Sequence, residues 1–355
     1  MFDGIYTNKK VLITGHTGFK GSYLALWLKQ LDANVVGISL PPQDDMSHWK
    51  LINIDMDSYF FDIRDKEKLN KIVKQIKPDI IFHLAAQALV IASYDDPIDT
   101  WHSNLIGTVN VLESSRDIDN LKAVLCITTD KCYRNINKLE GYSENDALGG
   151  FDPYSASKAA CEIAISSYRD SFFMNTDTLI ASARSGNVIG GGDWCKNRLI
   201  PDLIRSIDSG KPLEIRSPNA TRPWHHVLET ASGYLRLGQC LLEGNRNCAK
   251  SYNFGPKKDN NCSVETILKK IEPLWDKVKW KIDTKSWPHE ACELYLDSSQ
   301  AYRDLNWYEA WNIDDALYHT IRWYKEWFDN NLIISLDQLD LYIETMQKEN
   351  IDWIK

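Results

Sequence analysis

Tyr154 and Lys158 stand four residues apart in the run Tyr154-Ser155-Ala156-Ser157-Lys158, directly after Pro153. On a helix, positions i and i+4 share a face. A phenol ordinarily ionises near ~10, too high for a base at neutral pH. A neighbouring ammonium favours the phenolate and lowers that value. Such a pair can take a proton from a substrate hydroxyl. The same spacing also arises by accident on solvated helices. What lifts it here is Thr128-Thr129-Asp130-Lys131, at the end of the apolar run Ala123–Thr128. In a parallel sheet that strand end would face the same cleft. Burial would keep the Asp130 carboxyl protonated and able to act as an acid, whereas Lys131 beside it favours the carboxylate. The bland alternative for these two residues is an exposed ion pair. Their place ahead of the Tyr154–Lys158 helix favours catalysis.

A third feature binds rather than reacts. The apolar strand Lys10–Thr14 runs into Gly15-His16-Thr17-Gly18-Phe19-Lys20-Gly21, and helical spacing follows from Gly21 to Leu31. Glycines there allow a tight turn and close approach to a pyrophosphate, which the helix N-terminus then attracts. Between a strand and a helix, this triplet predicts a dinucleotide site. An acidic ribose reader at the end of the second strand is missing, because Ser39-Leu40-Pro41-Pro42 stands there and Asp44 and Asp45 come late. No Lys or Arg lies between Leu31 and Trp49 to hold a 2′-phosphate, so NAD is favoured over NADP. Further on, Asp62 and Ile63 end another strand-like run, with Asp62 placed to accept from an adenine amino group and Asp65 as a helix N-cap. Leu84, Ala85 and Ala86 end the next strand, where small residues leave room for a cofactor.

These residues need a sheet to position them. Strands are predicted at Lys10–Thr14, Asn34–Leu40, Ile80–Leu84, Ala123–Thr128 and Thr178–Ala183, and helices at Gly21–Leu31, Asp65–Ile76, Pro97–Ser115 and Tyr154–Phe173. Short apolar runs alternating with helices predict an α/β fold of the Rossmann type, a doubly wound parallel sheet. After Gly190 the regularity fades. The expected division is a dinucleotide-binding domain over 1–190, with a return segment at about 221–254, and a smaller, mostly helical substrate lobe over 191–355. The amphipathic tail Leu332–Lys355 is expected to pack on that lobe. With 355 residues, 43% hydrophobic and 25% charged, the chain can form two cores. Its net charge of −8 and lack of a basic block argue against nucleic acid. No apolar run suits a membrane span or a signal peptide, so a cytoplasmic location is expected. The eight cysteines form no C-x-x-C pair, and no metal site is expected.

The ordered set TGHTGFKG, DIRD, HLAAQ, TTDK, YSASK and RSGNVIGGGDW resembles the extended short-chain dehydrogenase/reductases. TDK in place of T-D-E, then GGGDW, RLIPDLIRS, RPWHHVLE and HEACELYLD, narrow the resemblance to the nucleotide-sugar 4,6-dehydratases that act on CDP-glucose, over roughly Lys10 to Trp307. His225 departs from the glutamine usual in RPW-x-HV, and the ribose reader is weak. The resemblance implies NAD as cofactor and CDP-glucose as substrate. It implies Tyr154 as base for the sugar 4-hydroxyl with Lys158 supporting it, Thr129 as hydrogen-bond donor to the same oxygen, and Asp130 as acid for the departing 6-hydroxyl. Lys131 stands where related enzymes have a glutamate, as base for the carbon 5 proton or as a stabiliser of the enolate. Asn187, Arg198, Arg216, Arg222 and His289 are the polar candidates for the nucleotide, and Leu199 begins the segment near the base. Arginine forks suit a diphosphate. Alternatives are another nucleotide-hexose as substrate, a 4-epimerase, or a dinucleotide sensor without catalysis; the intact Tyr154 and Lys158 weigh against the last. Surplus apolar residues on the helices at Pro97–Ser115 and Tyr154–Phe173, among them Leu105, Ile106, Ile163 and Ile165, predict a homodimer built from two helices per subunit.

Overall fold

The computed structural model describes residues 1–42, 44–138, 140–257, 261–283 and 295–354. Seven strands form its main sheet: β1 (Lys10–Thr14), β2 (Asn34–Ser39), β3 (Asp57–Phe60), β4 (Ile80–His83), β5 (Ala123–Ile127), β6 (Leu179–Ser185) and β7 (Ser251–Phe254). Their order is β7-β6-β5-β4-β1-β2-β3, and every pairing is parallel. The order reverses between β1 and β4, which opens a crevice at the carboxyl ends of the strands. Val11 is paired with both Val35 and Ile80, so β1 is central and its residues 11–14 are buried.

Helices cover both faces. α1 (Phe19–Gln30) lies on one, and α2 (Lys66–Ile76), the helical run α3 (97–115) and α4 (Pro153–Tyr168) lie on the other. Asp65 caps α2 by accepting from Lys68 N–H, as expected. α4 starts where Asp152 accepts from the N–H and hydroxyl of Ser155, with Pro153 in the first turn. α3 is less regular than its sequence suggests, because a π-turn at His102–Ile106 interrupts it.

Beyond β6, α5 (Leu199–Asp208) leaves the sheet and α6 (Val227–Leu242) returns to pack beside α1, leading into β7. A separate apolar cluster holds Ile200, Leu203, Trp224 and Trp275 with residues of α7 (Val264–Ile271) and α8 (Ile313–Asn330). The tail helix α9 (Ser335–Lys348) does not stay wholly with that cluster. Leu339, Tyr342 and Met346 join the core around α1 and α6, where Trp27 meets Tyr342 edge-on at 5.7 Å. Beyond α9, Trp353 stacks on Phe2 at 5.0 Å. Large aromatic area draws the tail there.

Glu229 fixes this arrangement from inside α6. Its Oε1 accepts from the N–H groups of Ala310 (3.1 Å) and Trp311 (2.7 Å), and its Oε2 from the Tyr342 hydroxyl (2.6 Å). Burial pushes this carboxyl up to about 8 against those donors. A folded-state value above the unfolded one means that the folded chain keeps a proton the unfolded chain has lost, so stability falls as pH rises from the ordinary glutamate range towards about 8. Glu229→Gln, which stays neutral, is expected to flatten the thermal unfolding temperature across that window and to raise it at the alkaline end. An unchanged slope against pH would show that Glu229 does not titrate there.

Candidate active site

The carboxyl ends of β1, β4, β5 and β6 open into one cleft of ≈ 1410 Å³, larger than a single small-molecule pocket. Gly15, Thr17, Gly18, Phe19 and Gly21 line it, with Asp62, Ile63, Leu84, Ala85 and Ala86 along one side. Thr129, Lys131, Tyr154 and Lys158 line its centre, and Asn187, Arg198, Leu199, Arg216 and Arg222 line the far side. Two sequence-predicted residues are placed otherwise. Asp130 is fully buried and does not line the cleft, although its neighbours do. His289 lies outside the described residues.

At the glycine end, Gly15 has φ +79°, and a Cβ on it would lie 2.7 Å from Ala85 N. A Cβ on Gly21 would overlap Gly15 O. The loop is therefore closed tightly over β4. No side chain caps α1, so its first-turn N–H groups remain for an anion. These features fit the pyrophosphate of a dinucleotide. At the end of β2, Ser39 occupies the ribose-reader position and bonds Thr17 (Oγ–Oγ1 2.7 Å). Asp62 accepts from the backbone N–H of Arg64 at 2.9 Å and from its guanidinium Nε at 2.9 Å; although burial acts upward, these donors hold the carboxyl below its usual range. Arg64 also lines the cleft but is paired with both Asp62 (2.6 Å) and Asp99 (2.5 Å).

At the catalytic centre, Thr129 Oγ1 donates to Asp130 Oδ1 at 2.9 Å, and Lys131 Nζ donates to the same oxygen and to Asn187 Oδ1, each at 3.4 Å. Asp130 Oδ2 is buried without a hydrogen-bond partner. The lowering of the Tyr154 phenol expected from Lys158 is outweighed. Burial pushes the phenol up, while a hydrogen bond with Thr129 and the Arg198 guanidinium act downward. Lys158 Nζ is held by the Ile127 carbonyl oxygen at 3.3 Å.

On the far side, Arg198 NH1 donates to Asp193 Oδ2 at 3.0 Å, and Arg222 NH1 to the Thr221 carbonyl at 2.8 Å. His225 is buried, with Nε2 3.0 Å from Thr230 Oγ1. Burial pushes it down to about 3, so it is neutral.

Several residues that the sequence analysis passed over complete the site. Asn104, in the π-turn of α3, donates to Gln87 O (3.1 Å) and Ser157 Oγ (2.9 Å) and accepts from Gln87 N–H (2.8 Å). It thus joins the β4 loop to α4. Thr14 and Thr108 hold the two ring nitrogens of His83 at 2.7 and 3.0 Å. Lys20, inside the glycine loop, reaches Ser185 Oγ at 2.7 Å. Only Lys20 had a visible signal, a cation within a nucleotide loop.

The sequence profile of the GDP-mannose 4,6 dehydratase family matches residues 12–320. A CDP-glucose 4,6-dehydratase of Salmonella typhimurium is 42% identical over 348 residues, covering 95% of this chain and 97% of that protein. An epimerase of Methanothermobacter thermautotrophicus superposes with a TM-score of 0.82 at 22% identity, covering 92% of this chain and 96% of that one. A dTDP-glucose 4,6-dehydratase of Streptomyces venezuelae, solved with NAD bound, gives 0.75 at 21% identity, with coverage of 89% and 97%. The two superpositions establish the shared fold. With the profile spanning most of its length and the Salmonella relative matched nearly end to end, this chain belongs to the GDP-mannose 4,6 dehydratase family of nucleotide-sugar dehydratases.

Proposed function

We propose that this chain carries out the NAD-dependent 4,6-dehydration of CDP-glucose, giving CDP-4-keto-6-deoxyglucose and water. The observation that carries this reading is the grouping of Thr129, Lys131, Tyr154 and Lys158 at the centre of one cleft, between the glycine loop and the arginines, with the buried Asp130 bonded directly behind Thr129 and Lys131. The 42% identity to a CDP-glucose 4,6-dehydratase supports the choice of substrate.

The glycine loop and the start of α1 would hold the NAD pyrophosphate, and Asp62, Ile63, Leu84, Ala85 and Ala86 would line its adenosine side. NAD supplies the acceptor and donor of hydride when bound. Tyr154 takes the proton of the sugar 4-hydroxyl, and Thr129 steadies that oxygen. With carbon 4 a ketone, the carbon 5 proton becomes acidic and passes to Lys131 in its neutral form or to water. If Lys131 keeps its charge it would instead stabilise the enolate, a role supported by its present bonds to the oxygens of Asp130 and Asn187. Asp130 gives its proton to the 6-hydroxyl, which leaves as water. The partnerless Oδ2 suits this role, since Oδ1 is taken by Thr129 and Lys131. After the 6-hydroxyl has left, carbon 6 takes back the hydride and carbon 5 takes back a proton. Arg198, Arg216 and Arg222 would hold the diphosphate, with Asn187 beside the sugar, and Leu199 and His289 would contribute to nucleotide recognition.

Purified protein offered CDP-, dTDP-, UDP- and GDP-hexoses is expected to release a 4-keto-6-deoxy sugar from CDP-glucose. In the same assay, Tyr154→Phe should lose ~10²–10⁴-fold in turnover while still binding NAD. A 4-epimer as product, or turnover by the phenylalanine variant near that of the unaltered protein, would reject the assignment.

Asp130→Asn is expected to permit oxidation at carbon 4 but not water loss. After a single mixing with substrate, near-ultraviolet absorbance of reduced dinucleotide should persist in this variant and decay in the unaltered enzyme. Normal release of product by Asp130→Asn would place the acid elsewhere.

We infer further that two copies associate through α3 and α4. Ile98, Ile106 and Ile163 are 69%, 44% and 60% exposed, on neighbouring helices. Ile165, by contrast, belongs to the core beneath and is unsuitable for probing the surface. Sedimentation should give twice the chain mass of 40.8 kDa, and Ile106→Glu with Ile163→Glu should shift the protein towards monomer. A monomeric unaltered protein would refute the pairing.

A further inference from the structure

The glycine loop carries a cation between Phe19 and Gly21. Lys20 is half-buried on the cleft wall, and its Nζ donates to Ser185 Oγ at 2.7 Å, at the end of β6. Ser185 Oγ lies in turn 3.0 Å from the Tyr234 hydroxyl on α6. The ammonium is thus fixed away from its own loop and against the catalytic end of the cleft. Three cations act on it there, Arg198, Lys158 and Lys131, opposed by Asp130 whenever that acid has given up its proton. Two of those cations, Lys131 and Lys158, belong to the group that handles the sugar. Lys20 therefore stands within electrostatic reach of the place where hydride is exchanged.

We propose that Lys20 is a charge-setting residue of the redox centre: its ammonium, anchored on Ser185 beside Lys131, Lys158 and Arg198, weights the site towards the reduced dinucleotide. The inference rests on the NAD reading given above. Oxidised nicotinamide carries a positive charge that the ring loses when hydride joins it and the sugar C4–H bond breaks. A fixed cation nearby opposes the charged form and not the neutral one. A dehydratase gains from that bias, because the reduced dinucleotide and the keto sugar must persist together while water leaves.

The bias is also titratable. Burial, reinforced by Arg198, Lys158 and Lys131 against Asp130, pushes Lys20 down to about 7. The groups facing it are Asp130 and Lys131 after β5, Tyr154 and Lys158 on α4, Arg198 before α5, His225 and Tyr234. Of these, His225 is pushed down to about 3, and burial pushes Tyr154 and Tyr234 up, so none of these three changes charge in the neutral range. Below about 7 Lys20 is charged and disfavours the oxidised ring; above it the opposition fades.

Equilibrium titration with NAD and NADH, followed by NADH fluorescence and by competition, tests this without turnover. The quantity read is Kd for NAD divided by Kd for NADH, in unaltered protein, Lys20→Met, Lys20→Gln and Lys20→Arg. In unaltered protein the ratio should fall as pH rises through neutrality. At the acid end, both neutral variants should lower it about tenfold, a fall of about 30 mV in the potential of the bound couple. Lys20→Arg should restore it and remove its pH dependence. The glutamine variant keeps a donor for Ser185, so it decides the matter if the methionine variant fails to fold. A ratio unchanged in the neutral variants overturns the inference, as does an equal loss of both affinities, which would make Lys20 a pyrophosphate ligand. Unaltered protein that binds neither dinucleotide overturns the cofactor reading itself, and this inference with it.

Discussion

Glu162 and Arg184 form an ion pair with N···O of 2.7 Å, and both side chains are almost wholly shut away from water. Taking two charges out of water is costly unless their remaining donors and acceptors are occupied, and removing one partner of such a pair costs about 3–5 kcal/mol. Here they are occupied by the strands that carry the chemistry. Glu162, on the helix of Tyr154 and Lys158, accepts from the hydroxyls of Thr128 on the β5 end, Ser182 on β6 and Ser251 on β7. Burial acts to raise its pKa, yet Arg184 and these hydroxyls hold it below the usual range. Arg184 then donates to the Tyr133 hydroxyl, which donates to Asn253 Oδ1, each at 2.7 Å. One buried carboxylate thus ties α4 to three neighbouring strands of the sheet, and on this frame Thr129 and Tyr154 come within hydrogen-bonding reach.

The cleft beyond that pair inverts the charge of the molecule around it. The chain as a whole is acidic, at −8, whereas Lys20, Lys131, Lys158 and Arg198 crowd its catalytic end. Local charge of this kind draws an anionic ligand whatever the net charge. It is tolerable because each cation is held: Lys20 by Ser185, Lys131 by Asp130 and Asn187, Lys158 by the Ile127 carbonyl and Arg198 by Asp193. Burial is the larger cause of the lowered Lys20 value, and Arg198, Lys158 and Lys131 add to it. The histidine on the cleft wall, His48, and the buried His225 are both driven down by burial and are uncharged well before the range in which Lys20 titrates.

The sheet was legible because its strands are short apolar runs, and the glycine loop and the Tyr154–Lys158 helix because each is local. Asp65 and Pro153 even marked their helix starts. What escaped was non-local. The π-turn that aims Asn104 depends on contacts with Gln87 and Ser157, far away in sequence. The seventh strand, Ser251–Phe254, is four residues long and finds its place only by pairing with β6. The phenol of Tyr154 was expected to be lowered by its i+4 lysine, but burial is a property of the whole fold and prevails. The tail was assigned to the nearer lobe on proximity in sequence. Its start does stay there, with Ile334 in that cluster and Gln338 donating to His319 O, while aromatic area and the buried Glu229 draw Leu339, Tyr342 and Met346 across to α1 and α6.

The run Gly190-Gly191-Gly192-Asp193-Trp194 shows how one motif can look like chemistry and serve packing that chemistry requires. A Cβ on Gly191 would collide with Trp323, and Gly192, at φ +77°, would meet His48. The Tyr23 hydroxyl of α1 donates to Gly191 O at 3.0 Å, and the Tyr324 hydroxyl of α8 donates to Asp193 O at 2.7 Å. Side chains at these positions would hold the helices apart, and the backbone carbonyls would lose their donors. With the helices close, Asp193 is fixed, its Oδ2 accepts from Arg198, and that guanidinium is aimed into the cleft at the start of α5. Arg198 in turn acts on both Tyr154 and Lys20. The glycines touch no reacting atom. They let two aromatic helices approach, and that approach decides where the charge on the far wall stands relative to the base.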